Sequence, residues 1–243
     1  KPKPILTGGR KSFMLDQIKQ QIDRLKARGA AYVDTRWYPY EETNSLMMWN
    51  GNLKETSASR ESGLGVRVLY KGAWGFSASS DVSNLTALYD QAFDNARVAA
   101  ERVTFPIRLA EKDAIESRFE SPTKINPFEI PLAEKVAFLR DMDQKLNQPG
   151  VTQRISSLTF TRKQVFFLDS EGSRIEKLIT DVFADLEVNG MDSEGGMHER
   201  KFKPPRRGET RGWETVDAQW FSENAERIVR ELNQTIQAEP CPV

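Results

Sequence analysis

The sequence is short of the residues that build metal sites and covalent cross-links. It holds one His and one Cys in 243 residues. A single Cys excludes an intramolecular disulfide framework. One His and one Cys together cannot supply the four or so ligands of a structural zinc site. Net charge is also missing: 35 Lys plus Arg balance 35 Asp plus Glu, so no bulk electrostatic pull favours nucleic acid. No run of about 18 apolar residues occurs, so no segment reads as a membrane-spanning helix. What remains is ample for a core: 38% hydrophobic residues, with 13 Phe and 5 Trp, in a length that suits one large domain or two small ones.

Periodicity supplies the elements. Leu15, Ile18, Ile22 and Leu25 repeat at helical spacing, with Ser12 placed as N-cap and Gly29 as the stop. Tyr32–Tyr38 alternates as a strand. Asn50-Gly51, between Ser45–Trp49 and Asn52–Ser57, is the signature of a two-residue hairpin turn. Leu64–Tyr70 reads as a further strand, Lys71-Gly72 as a turn and Trp74–Ser79 as the returning strand. A helix capped by Ser83 follows and ends near Arg102. Residues 104–130 carry Pro106, Pro122 and Pro127 and read as a connection with at most short strands.

The order then recurs. Pro131 opens a helix whose stripe is Leu132, Val136, Leu139 and Leu146, and Pro149-Gly150 stops it. Strands are expected at Ile155–Thr161, Gln164–Leu168 and Ile175–Val188, with a turn at Asp169-Ser170-Glu171-Gly172. A last helix starts near Asp217, with Phe221, Ala225, Ile228, Leu232 and Ile236 on its buried side. The expected class is α+β: antiparallel sheets flanked by helices, the helix–strands–helix layout occurring twice. An internal duplication is a hypothesis carried by element order alone. The expected divisions are residues 1–103, a connection 104–130, a second unit 131–238 and a linker 239–243.

Candidate chemistry is sparse. His198-Glu199 starts like a metalloprotease helix, but Phe202 and Lys203 stand where a second His would be, and the surroundings read as loop, so His198 is a loop or strand-end residue. Gly63-Leu64-Gly65 lacks the third glycine and the helix of a dinucleotide loop. The basic segment Arg200–Arg211 reads as a solvated loop with phosphate binding or subunit docking as the alternative. Glu41-Glu42 and Glu55 near the first hairpin could act as acid and base but fit solubility groups. Cys241 has no His partner, and Trp37, Trp49 and Trp74 are either core residues or interface anchors. No catalytic, cofactor-binding or metal-ligating residue is therefore assigned.

The segment Glu61–Ser77, with its Gly65-Val66-Arg67-Val68 strand and Gly72-Ala73-Trp74-Gly75-Phe76 turn, resembles the N-terminal region of the TldD/PmbA family, also called modulators of DNA gyrase. Ala31–Arg36, the helix with Ala92 and Ala96, the Asp169–Gly172 turn and the closing Ala238–Pro242 are similar to the same family, so the resemblance spans nearly the whole chain. It implies the N-terminal domain of a zinc metallopeptidase that shapes a peptide cleft and a dimer interface. A C-terminal HExxxH domain would carry the zinc; that motif does not occur here, so no cofactor is expected in residues 1–243. The implied partners are a homologous subunit, in a hetero- or homodimer, and a peptide or unfolded polypeptide, with neither membrane nor nucleic acid. The alternative is a non-catalytic PmbA-like partner or a gyrase-linked regulatory module. Family members imply the cytoplasm. The chain opens Lys1-Pro2-Lys3-Pro4 without Met, so export is the expectation if a signal segment preceded Lys1.

Overall fold

The computed structural model describes residues 8–202 and 210–238. The elements run α1 (Gly8–Ala27), β1 (Tyr32–Trp49), β2 (Asn52–Tyr70), β3 (Ala73–Ser79), α2 (Leu85–Ala100), β4 (Glu116–Glu120), α3 (Leu132–Leu146), β5 (Gln153–Asp169), β6 (Arg174–Met191), β7 (Met197–Phe202) and α4 (Ala218–Ile236). A 3-10 turn occupies Trp213–Thr215. Seven strands form one sheet in the order β3-β2-β1-β5-β6-β4, with β7 also paired to β6. Strands β2–β3 and β6–β7 pair antiparallel, and the short β4 lies parallel to β6. The class is α+β, as expected from the layout.

Local chemistry explains the turns. Asn50 and Lys71 are the two non-glycine residues with positive φ among those described, each followed by a positive-φ glycine, Gly51 and Gly72. These are the two-residue turns whose twist matches the flanking strands. Gly29 (φ 93°) closes α1 as expected. Several boundaries differ from the sequence reading. Helix α1 begins at Gly8, so Ser12 lies inside it and caps nothing. The α2 cap is Asn84, whose side chain accepts the Ala87 N–H, and not Ser83. Leu132 is 53% exposed, so the buried side of α3 is carried by Leu139, Met142 and Leu146. The paired runs in β1, β2 and β5 are continuous strands, and His198 stands at the start of β7, a strand-end position. In β1 the buried positions change phase, from Val33 and Trp37 to Leu46 and Met48. That change across Pro39 obscures the period-2 signal and makes one strand read as two.

The chain divides into two compact units. The first is Lys1–Glu41, Arg60–Glu120 and Lys163–Leu178; the second is Glu42–Ser59, Ser121–Arg162 and Ile179–Val243. The first core gathers Ile18, Ile22 and Leu25 of α1, Val66 and Val68 of β2, and Tyr89, Ala92 and Ala96 of α2. The second gathers Leu139, Met142 and Leu146 of α3, Leu158 and Phe160 of β5, and Phe221, Ala225 and Ile228 of α4. Asp217 caps α4 by accepting the N–H groups of Gln219 and Trp220.

In the first unit, α2 lies against β3 at backbone distance. A Cβ on Gly75 would collide with the Ala92 carbonyl oxygen and the Ala96 nitrogen. Ser77 Oγ donates to the Leu88 carbonyl at 2.6 Å, and Asn95 Nδ2 donates to the Phe76 carbonyl at 2.9 Å. Only glycine allows that approach. Gly75→Ala is expected to cost about 3 kcal/mol or more in urea unfolding, as overpacking against backbone does. Gly63→Ala, where a Cβ would meet only the Ser79 carbonyl oxygen at 3.5 Å, is the control and should change little. Equal losses for the two variants would contradict this packing.

Candidate functional site

In the first unit the strand starts of β1 and the β5–β6 turn build a dense polar cluster. Asp34 is buried at 1% exposure and accepts from Arg67 three times, Nη2 to Oδ2 at 2.6 Å and Nε to Oδ2 at 3.0 Å and to Oδ1 at 3.2 Å. Arg36 Nη1 donates to Asp34 Oδ1 at 3.2 Å. The Arg67 guanidinium also lies 5.1 Å from the Trp74 ring centre, and Tyr32 meets Trp74 edge-on at 6.0 Å. The hydrogen bonds to Asp34 push Arg67 further above its ordinary value, against the effect of burial. A planar guanidinium that pairs a carboxylate and faces an indole is a rigid arrangement.

The turn anchors a second carboxylate. Asp169 Oδ1 accepts the N–H groups of Glu171 (2.9 Å) and Ser173 (2.8 Å), while Lys112 Nζ donates to Oδ2 at 2.5 Å. Burial drives the Asp169 carboxyl up, but the Lys112, Ser173 and Glu171 donors outweigh it and hold it below the usual carboxylate range. Ser170 exchanges hydrogen bonds with Val33, fixing the turn to β1. Tyr32 donates its hydroxyl to Asp169 Oδ2 at 3.4 Å. Burial, then the Asp34, Asp169 and Glu171 charges, push that hydroxyl well above its ordinary value, so it stays protonated. Each buried carboxylate faces a cation, so the cluster orders strands and offers no general base.

A polar hollow of about 260 Å³ between α1 and the β5–β6 turn reaches the cluster at Asp169, Ser170 and Ser173, and two further hollows of this unit lie away from it. A largely apolar cavity of about 440 Å³ is bounded by Phe13, Met14, Trp37, Pro39, Gly63 and Val82, with Arg10, Gln17 and Ser62 as its polar groups. A smaller hollow of about 300 Å³ is lined by Tyr38, Glu41, Glu61, Ser62 and Gly63. Both reach Ser62–Gly63, where β2 has outrun its neighbour: β3 pairs with β2 only from Leu64 to Tyr70.

The residues singled out by sequence are not brought together. His198 Nε2 lies 2.8 Å from Asp192 Oδ2, and Asp192 Oδ1 accepts from Glu194 and Gly196, so the His braces the β6–β7 hairpin. Glu199 pairs with Lys201 at 2.9 Å. Arg200 and Lys201 belong to β7, while residues 203–209 of the basic segment lie outside the described residues, as does Cys241. Glu42 pairs with Arg162 at 2.9 Å, and Glu55 accepts from Ser57. Trp37 is a core residue stacked on Phe166, whereas Trp49 is 40% exposed and Trp74 half-buried. Among the described residues no three His, Cys, Asp or Glu side chains assemble as a metal site, so these residues do not fit a zinc ion. No described helix is long and apolar enough to cross a membrane.

Comparison with known proteins points to one family. The model of the PmbA/TldA metallopeptidase domain 1 matches residues 39–96, and that of the PmbA/TldA metallopeptidase central domain matches residues 125–237. A metalloprotease of Methanocaldococcus jannaschii is 29% identical over 229 residues, covering 92% of this chain and 48% of that protein. A metalloprotease of Methanothermobacter thermautotrophicus is 28% identical over 200 residues, covering 82% and 42%. The chain thus spans about half the length of the curated relatives it matches. Among solved structures, a candidate modulator of a DNA gyrase from Thermotoga maritima superposes with a TM-score of 0.70 at 15% identity, covering 94% of this chain and 50% of the other. TldE from Thermococcus kodakarensis gives 0.56 at 13%, covering 89% and 47%. At these identities the likeness is one of fold.

The Asp169 cluster gives a pH signature. Asp169→Asn is expected to lose about 3 kcal/mol at neutral pH, because Lys112 and the turn amides lose a buried charged partner. The folded carboxyl titrates below its unfolded value of about 3.9. Its contribution is therefore complete above that value and disappears as pH falls through the lower folded one. Urea unfolding of both proteins from pH 7 to 2 should show the gap closing in the acid range; a gap that stays constant to pH 2 contradicts the assignment.

Proposed function

Because the chain belongs to the PmbA/TldD metallopeptidase family, we propose that it is the N-terminal part of a peptidase of this type and that it holds the polypeptide substrate and a homologous subunit. The single observation that supports the substrate role is the outer edge of β2. Nineteen residues long, β2 is flanked on that side, among the described residues, by β3 along Leu64–Tyr70 only, and Asn52–Ser62 is exposed throughout. An unpaired strand edge presents main-chain N–H and C=O groups in a row, and an extended peptide can complete them as an added strand. Such recognition reads backbone first and so suits a substrate class of unfolded chains.

Metal chemistry is assigned to a C-terminal HExxxH domain outside this sequence, since the described residues gather no ligand set. The dimer contact is assigned to exposed apolar side chains of these units, of which Trp49 is one. The working compartment is the cytoplasm.

The test uses the longer protein loaded with zinc and an unfolded polypeptide substrate. Cleavage that a chelator abolishes and zinc restores is the expected result, while residues 1–243 alone cleave nothing. No cleavage by the zinc-loaded longer protein, either alone or with its homologous subunit, overturns the peptidase role and leaves the non-catalytic partner. Zinc-dependent cleavage by residues 1–243 overturns the placement of the metal chemistry.

A further inference from the structure

We propose that the edge of β2 at Ser62–Gly63 is a side-chain-reading subsite: it takes an extended polypeptide strand with a large apolar residue followed or preceded by a basic one. This rests on the β2 edge as a peptide-holding element and specifies what that edge accepts.

Three observations within the first unit converge there. The edge itself is open, because β3 stops pairing at Leu64↔Ser79 and the chain turns away through Asp81 and Ser83 into α2. The cavity of about 440 Å³ beside it is walled by Phe13, Trp37, Pro39 and Val82. That is ample room for a Phe or Leu side chain, whose burial there is favourable. Phe13 is 64% exposed, so the cavity has an apolar lip facing solvent. Arg10 borders the same cavity and opposes a basic side chain entering it.

Strand geometry supplies the second residue. Successive side chains of a strand point to opposite faces. If one side chain of the added strand enters the cavity that Trp37 and Ser62 line, its neighbour points to the other face. Tyr38 alternates with Trp37 along β1 and lines the second hollow with Glu41 and Glu61, while Ser62 and Gly63 border both hollows. Neither Glu41 nor Glu61 has a hydrogen-bond or ion-pair partner among the described residues. Two unpaired carboxylates flanking an open edge complement Lys or Arg.

The experiment titrates residues 1–243 into fluorescein-labelled, end-blocked peptides of the form Thr-Thr-Phe-Arg-Thr-Thr and follows anisotropy. Saturable binding is expected. Replacing Phe by Ala in the peptide should weaken it about tenfold or more, and replacing Arg by Glu about fivefold or more. N-methylation of the Phe amide and of the Arg amide should weaken it unequally, since only one of two neighbouring amides faces the edge. Phe13→Ala should erase the Phe-over-Ala preference, and Glu61→Lys the Arg-over-Glu preference. Both side chains are exposed, and circular dichroism verifies the fold of each variant. Equal binding of all the peptides, or no saturation, overturns the proposal. So does a dimer of this chain that competes with peptide, which would make a second copy the occupant. The two readings fail separately. Patterned binding without cleavage by the zinc-loaded longer protein overturns the peptidase role alone. Cleavage without the binding pattern overturns the subsite alone.

Discussion

The two-residue turn at Lys71-Gly72 is the constraint on which the first unit hangs. Both residues hold positive φ, at 47° and 82°, and a Cβ on Gly72 would run into Pro106. That turn sets the β2–β3 register from Tyr70↔Ala73 to Leu64↔Ser79. A slip of one residue would send every side chain of β3 to the opposite face. In the actual register Gly75 faces α2, where no side chain fits, and Trp74 lies beside Arg67 on the other face. The same register decides where β3 ends. The open edge at Ser62–Gly63 is therefore a consequence of turn chemistry eight to ten residues away.

Charge in this unit is divided between scaffold and surface. Asp34 and Asp169 are buried and saturated with donors from Arg67, Arg36, Lys112 and backbone amides. Buried carboxylates need this, because an unpaired one would neutralise itself or unfold the site. They hold β1, β2 and the β5–β6 turn in fixed relation and are not available to a ligand. Glu41 and Glu61 are the opposite case: carboxylates that line a hollow with no partner among the described residues. The contrast separates groups that order the fold from groups that can meet another molecule.

Helices and two-residue turns were legible in the sequence because their signals are local. The Leu15–Leu25 stripe, Asn50-Gly51 and Asp217 each act within a few residues. Strand continuity was harder to read. In β1 the buried set changes phase around Pro39, and over Asn52–Ser62 no side chain of β2 is buried, so neither segment shows sustained alternation. The Asp34–Arg67 and Lys112–Asp169 pairs span 33 and 57 residues, distances at which a sequence offers no pairing signal. Asp34 between Val33 and Thr35 was a hint, since a charged residue among buried positions must find a partner. The family resemblance rested on Arg67, Trp74 and Gly75, and these are the residues that the Asp34 pair and the α2 approach require. The cavity was not legible, because its walls come from α1, β1, β2 and the Asp81–Ser83 turn at once.

An open strand edge invites unwanted pairing, and the composition of β2 shows how that hazard is limited. From Asn52 to Ser62 the strand carries Lys54, Glu55, Arg60 and Glu61 among Thr and Ser, with Leu53 its one large apolar residue. Charges of both signs along an exposed edge disfavour association with an arbitrary hydrophobic strand. Main-chain hydrogen bonding is left available, while apolar attraction is concentrated at one point, the Phe13–Trp37 cavity. On the proposed reading, a strand gains from this edge when it brings a large apolar side chain to that point and no acidic neighbour to Glu61. On the same reading, selectivity at this edge arises from a mostly polar strand with an apolar socket beside it.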